Sequence, residues 1–132
     1  MAVSAKELET IRADITVGSL CMQEKTSPVM TNMAAYHFSQ AIEKSVKATL
    51  NEAIKSGKIE KDEELREMMH THNLGYLMIK AESAYPNFIQ ENLFIANNSR
   101  TIEKLNGLRY GEKSIPSLTV CLNLLQGFSI II

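Results

Sequence analysis

Residues 34–50, AAYHFSQAIEKSVKATL, constrain the fold more than any other stretch of the chain. Apolar side chains recur there with a helical period through about four turns. A helix with such a stripe must bury it against other elements, and the stretch therefore favours a helical bundle. The positions that form the stripe are Ala34, Phe38, Ala41, Ile42, Val46 and Leu50.

The rest of the chain also has a helical pattern, and no run alternates like a half-buried strand. We expect a first helix after Ser4, with Glu7 as its capping-box partner, that ends near residue 22. A second helix should cover residues 29–56 and stop at Gly57. Residues 63–84 should form a third helix, either continuous or broken near His72, and residues 87–108 a fourth. The predicted fold is all-α, an up-and-down bundle of four or five helices.

Composition limits the classes of protein that fit. The chain has 132 residues, enough for one domain that spans residues 1–132. Its formal net charge of −1 gives no global attraction to nucleic acid, so any RNA contact needs a local basic patch. The N-terminus lacks an apolar signal-peptide core, and we therefore expect a cytoplasmic protein with Cys21 and Cys121 reduced. No cysteine or histidine spacing indicates a metal site, and we expect neither a metal nor a cofactor.

The segment 114–132 carries no charged residue. A membrane span is disfavoured because Pro116, Asn123, Gln126 and Gly127 interrupt the segment and no basic flank follows it. Two interpretations stay open. The segment either supplies a closing helix, buried in the bundle or in a subunit interface, or it is the end of a truncated or frameshifted chain.

Three elements in order resemble the HEPN family of small helical domains, and the resemblance covers residues 30–116. They are residues 40–48, QAIEKSVKA, then His72-Asn73-Leu74, and then Leu108-Arg109-Tyr110. The resemblance implies a helical domain that forms a homodimer. It also implies a non-catalytic module that binds a nucleotide or RNA, or that partners a small nucleotidyltransferase in a toxin–antitoxin-like pair, or both.

Four residues are candidates for ligand binding. Glu43 and Lys47 lie four residues apart, in the order that favours an ordinary solvated ion pair on a helix. The resemblance adds a ligand-binding or structural role for this pair. Arg109 can bind a phosphate and Tyr110 can stack on a base. Alternatively, Arg109 pairs with Glu43 or another carboxylate while Tyr110 packs over the bundle end.

The alternative function is a metal-independent HEPN ribonuclease that acts through Arg66 and His72 at a dimer cleft. Five residues separate the two, which matches the family's Arg-to-His spacing. There the histidine would act as general base and the arginine would stabilise the charge on phosphorus. On one continuous helix, however, the two side chains would point about 240° apart. The active motif also usually lies nearer the C-terminus. A capping or packing role for His72 at a helix start is the preferred interpretation.

Overall fold

A computed structural model describes residues 3–24 and 27–106 of the chain. This part is all-α and contains no strand, as the sequence predicts. None of its helices combines the length and apolar character needed to cross a membrane. Arg109, Tyr110, Cys121 and the segment 114–132, for which the sequence makes predictions, lie outside the described residues. The helices are α1 (Ala5–Met22), α2 (Pro28–Lys55), α3 (Glu63–Met68), α4 (Leu74–Ala84), α5 (Phe88–Glu91), α6 (Leu93–Asn97) and α7 (Ser99–Lys104).

The ends of α1 and α2 are those that the sequence predicts. The Ser4 hydroxyl accepts a hydrogen bond from the Glu7 amide and donates one to the Glu7 carboxylate, which completes the capping box. Helix α2 begins with Pro28 in its first turn, where proline costs no hydrogen bond. It ends at Gly57, whose positive φ of 76° allows the chain to turn sharply.

Helices α1 and α2 pack along each other and build most of the core. Phe38 of α2 is fully buried and lies against Gly18 of α1. A Cβ atom on Gly18 would come within 2.6 Å of the Phe38 ring, so this close approach requires glycine. Cys21 is a buried free thiol on the same helix, and burial raises its pKa. The seam between the two helices is therefore tight where Gly18 meets Phe38.

The chain breaks between α3 and α4, one of the two outcomes expected for residues 63–84. Residues 69–73 leave the helical path, and α4 restarts with Asn73 as its N-cap. The Asn73 side-chain oxygen accepts a hydrogen bond from the Tyr76 amide at 3.1 Å. His72 thus lies in the non-helical segment, one residue before the cap.

The prediction of one helix over residues 87–108 was wrong within its described part. Three short helices, α5 to α7, replace it and meet at Asn92 and Asn98. The side-chain amides of Asn92 and Asn98 donate to the carbonyls of Phe88 and Phe94. These bonds compete with the backbone ladder, which is why asparagine disfavours helix interiors. The two bends bring α7 beside the start of α4.

Candidate functional site

The candidate site is built around Glu43, a buried carboxylate on α2. Its side chain is 6% exposed, although a charged residue on a long helix usually faces water. The Nδ1 atom of His72 lies 2.8 Å from Glu43 Oε1 and 3.1 Å from Oε2. The Lys47 ammonium lies 3.6 Å from Oε1. Three of the residues predicted from the sequence therefore meet, and the Glu43–Lys47 pair is not the solvated pair of an ordinary helix surface.

The contact with Glu43 determines which ring nitrogen of His72 is available to a ligand. Its side chain is 60% exposed, so it is neither buried in the core nor the cap of α4, a role taken by Asn73. Since Nδ1 faces the carboxylate, Nε2 is the nitrogen left for a ligand, and it has no hydrogen-bond partner among the described residues. A carboxylate behind one ring nitrogen fixes the tautomer and the orientation of the ring.

His72 lines an open cavity of about 470 Å³ between the start of α4 and helix α7. Arg100 lines the same cavity, is exposed, and makes no ion pair with the described residues. The remaining lining residues are Asn73, Gly75, Ser99 and Glu103.

The start of α4 contributes little free hydrogen-bonding capacity to this cavity. The Gly75 amide donates to the Glu103 carboxylate at 3.2 Å, and the Tyr76 amide donates to Asn73. These contacts occupy the amides that would otherwise attract an anion to a helix N-terminus. Among the lining groups, the His72 ring, the Arg100 guanidinium, the Ser99 hydroxyl and the side-chain nitrogen of Asn73 remain for a ligand.

Arg66 does not line this cavity. It is exposed in the last turn of α3, on the far side of the chain break that precedes His72. Among the described residues of a single chain, the guanidinium that shares the cavity with His72 belongs to Arg100. The role of Arg66 at a dimer cleft stays a prediction, as do the roles of Arg109 and Tyr110, which lie outside the described residues.

A second cluster, which the sequence interpretation missed, lies on the α1 side of α2. Asp14 of α1 has a side chain only 11% exposed. One of its oxygens lies 2.9 Å from His37 Nδ1 and the other lies 2.5 Å from the Lys44 ammonium. His37 and Lys44 both belong to α2, so this carboxylate ties the two long helices together.

One sequence signal could have found this second cluster. Asp14 is three residues from Ile11 and four from Gly18, and these spacings place it on the buried side of the first helix. An acidic residue on such a face needs a cationic or hydrogen-bonding partner. His37 and Lys44, seven residues apart on α2, share a face and could have been proposed as those partners.

The two clusters differ in what they can do chemically. A histidine held by a carboxylate beside an open cavity can bind an anion when protonated, or accept a proton when neutral. Within residues 3–24 and 27–106, no group of three His, Cys, Asp or Glu side chains could hold a metal ion.

Comparisons with protein-family models, with curated proteins and with solved structures found no match to this chain.

Proposed function

We propose that the protein is a non-catalytic helical module of the HEPN type that binds a nucleotide or RNA in the cavity beside His72. The observation that carries this proposal is the shared cavity of His72 and Arg100, with Glu43 behind the histidine. The resemblance of residues 40–48 and of His72-Asn73-Leu74 to that family, and the helical architecture, support it further.

The chemistry of the cavity favours a phosphate group as the ligand. A guanidinium can donate two parallel hydrogen bonds to phosphate oxygens, and Arg100 has no carboxylate partner among the described residues to compete for them. The Ser99 hydroxyl adds a hydrogen-bond donor from the same cavity wall, and His72 Nε2 adds another when the ring is protonated. Glu103 also lines the cavity, so repulsion from this carboxylate would limit how close a phosphate comes to the α4 side.

Equilibrium binding tests this proposal directly. Fluorescently labelled ATP, GTP and a 12-nucleotide RNA would be titrated with the wild-type protein and with His72→Gln and Arg100→Gln. We expect each substitution to weaken binding by about tenfold or more, the loss of one charge-assisted contact. Arg12→Gln, which removes an exposed arginine from α1 outside this cavity, is the matched control. No binding by the folded wild-type protein would refute the proposal.

The resemblance also supports a homodimer and a nucleotidyltransferase partner, and we include both in the proposal. A dimeric mass in light scattering at micromolar concentration is the expected result, and a monomeric mass would contradict it. The partner proposal predicts a stable complex when the chain is co-expressed with a small nucleotidyltransferase. Separate elution of the two proteins would contradict that part alone.

A second candidate function is metal-independent RNA cleavage, which the Glu43–His72 contact favours. His72 Nε2 would take the proton from a ribose 2′-hydroxyl, and the 2′-oxygen would attack phosphorus. The bond to the 5′-oxygen would break, with that oxygen gaining a proton, to leave a 2′,3′-cyclic phosphate and a 5′-hydroxyl. An arginine would stabilise the charge that develops on the phosphoryl oxygens. Arg66 has this role in the sequence hypothesis, and Arg100 is the alternative that shares the cavity.

Cleavage of RNA in the presence of EDTA separates the two candidates. If the protein is a ribonuclease, His72→Ala should abolish cleavage, and Glu43→Gln should slow it while preserving the shape of the buried side chain. Comparison of Arg66→Ala with Arg100→Ala would then identify the arginine that acts. Binding without cleavage by the wild-type protein would leave the module as the function.

A further inference from the structure

A second cavity lies where the start of α1 meets the end of α2. Its volume is about 400 Å³, and three lysines line it: Lys6 of α1, Lys55 of α2, and Lys61 from the connection before α3. Nothing in the function proposed above uses these residues. The other lining residues are Ser4, Glu7, Asn51 and Ile54.

Two local structures bring the three lysines together. The capping box at Ser4 fixes the first turn of α1, which contains Lys6. At the end of α2 the Lys58 amide donates to the Ala53 carbonyl and the Gly57 amide donates to the Ile54 carbonyl, a Schellman motif. This turn reverses the chain after Lys55, so that Lys61 returns to the same cavity.

The charges in this cavity are unbalanced. Among the described residues, none of the three lysines has an acidic partner within 4.0 Å. Glu7 is the one carboxylate in the lining, and both of its oxygens are occupied, by the Ser4 hydroxyl and by the Asn51 amide. Burial raises the pKa of Glu7, but hydrogen bonds from Asn51 and Ser4 and the charge of Lys55 outweigh burial and leave it below its usual value. Glu7 is therefore ionised at neutral pH, and three positive charges face one negative charge.

We propose that this cavity is a phosphate-binding site, with Lys6, Lys55 and Lys61 as its cationic groups. It is separate from the cavity of His72. Lys55 follows Glu43 by twelve residues on α2, which corresponds to about 18 Å along the helix axis. Lys47 lies between them along α2, one turn from Glu43 and two turns from Lys55, and it is paired with Glu43.

The phosphate could belong to an RNA strand that also reaches His72 or to a small free anion, and two measurements separate these sources. The first is titration of ¹⁵N-labelled protein with inorganic pyrophosphate. We expect amide shifts at residues 4–7, at Lys55 and at Lys61, and we expect the double variant Lys55→Gln/Lys61→Gln to lose them. Lys80→Gln is the matched control, since it removes a lysine of α4 that lines neither cavity.

The second measurement is the salt dependence of binding of a 12-nucleotide RNA. If the lysines hold phosphates of the strand, each substitution should lower the slope of log Kd against log salt by about 0.7, while Lys80→Gln leaves it unchanged. Amide shifts with an unchanged slope would assign the cavity to a small anion. Absence of both effects would overturn the phosphate site.

The result for this cavity is independent of the proposed function of the His72 cavity. Pyrophosphate shifts at residues 4–7 do not require RNA binding, so they support the lysine site even if the His72 cavity binds nothing. Conversely, RNA binding that depends on His72 and Arg100 but not on the three lysines, together with no pyrophosphate shifts at the lysine-lined cavity, would retain the proposed function and refute this site.

Discussion

Helix α2 carries two clusters of the same chemical kind, each with a buried carboxylate, a histidine and a lysine. In one, Asp14 binds His37 and Lys44; in the other, Glu43 binds His72 and Lys47. The difference lies in the histidines, because the His37 side chain is 20% exposed whereas that of His72 is 60% exposed. The same carboxylate–histidine pairing is therefore largely enclosed between two helices in the Asp14 cluster, whereas in the Glu43 cluster it leaves a ring nitrogen facing a cavity.

The backbone around each histidine explains this difference. His37 is part of α2, and its Nδ1 atom lies against Asp14 of α1, which packs along α2, so its ring is mostly covered. His72 belongs to the non-helical residues that precede α4, and its side chain stays largely exposed there. We infer that the Asp14 cluster contributes mainly to stability and the Glu43 cluster mainly to ligand binding.

The largest predicted loss of stability comes from creating a cavity between α1 and α2. Phe38→Ala should lower the free energy of unfolding by about 3–5 kcal/mol, because it leaves a cavity under Gly18. Leu93→Ala, at a side chain that is largely exposed, should cost far less. Urea denaturation measures both. Similar costs for the two variants would mean that the α1–α2 seam is not the tightly packed region described above.

Neutralising each carboxylate in turn compares the two clusters directly. Asp14→Asn and Glu43→Gln should each cost about 1–3 kcal/mol, because each weakens the bonds of a buried acceptor. Only Glu43→Gln should also weaken binding of nucleotides or RNA, since only its histidine faces a cavity. Thermal unfolding and the anisotropy titration provide the two measurements. An equal loss of binding in Asp14→Asn would remove the functional distinction between the clusters.

Removal of the N-cap of α4 tests the Glu43 cluster locally and should have a smaller effect on stability. Asn73→Ala should cost about 1 kcal/mol of stability, and it should also weaken ligand binding because it loosens the backbone beside His72. Ser27→Ala is the matched control, since Ser27 caps α2 by accepting from the Met30 amide at 3.3 Å. The two variants should lose similar stability, and only the first should lose binding. Unaltered binding in Asn73→Ala would show that the ordering of His72 does not depend on this cap.

The sequence was sufficient to predict the parts of this structure that depend on local signals. The start of α1 at Ser4, the end of α2 at Gly57 and the all-α architecture each follow from residues close together in the chain. Glu43, Lys47 and His72 were each singled out by residue type, but the sequence did not predict that His72 meets Glu43. The break near His72 was expected as one of two outcomes.

The parts that the sequence did not predict depend on long-range placement. Arg100 joins His72 because Asn92 and Asn98 bend the chain, and a periodic apolar pattern over residues 87–108 does not reveal such bends. Asp14 meets His37 and Lys44 across 23 and 30 residues of sequence. Contacts of this range depend on how α1 and α2 pack, and a linear spacing rule does not contain that information.

Glu7 is a third carboxylate that links α1 to α2, and it does so through Asn51 rather than through a histidine. Removing this hydrogen bond should give the smallest change in stability of the variants considered. Its pKa lies below the usual value despite burial, chiefly through the hydrogen bonds from Asn51 and Ser4. A carboxylate whose pKa is lowered by folding adds stability above its unfolded pKa, and this stability is lost as the pH falls through the folded pKa. Asn51→Ala should return the pKa of Glu7 towards its ordinary value. The variant should therefore lose less stability than the wild-type protein on acidification below about pH 4.5.

Urea denaturation over a series of pH values measures this change in slope. Gln40→Ala is the control, because Gln40 is another amide of α2 but donates to Asn106 rather than to a carboxylate. It should shift the whole stability curve without altering its slope in the acidic range. If Asn51→Ala and Gln40→Ala gave parallel curves, the Asn51 bond would not hold the pKa of Glu7 down. In that case the lowered pKa of Glu7, and with it the negative charge in the lysine-lined cavity, would depend on Ser4 and Lys55 instead.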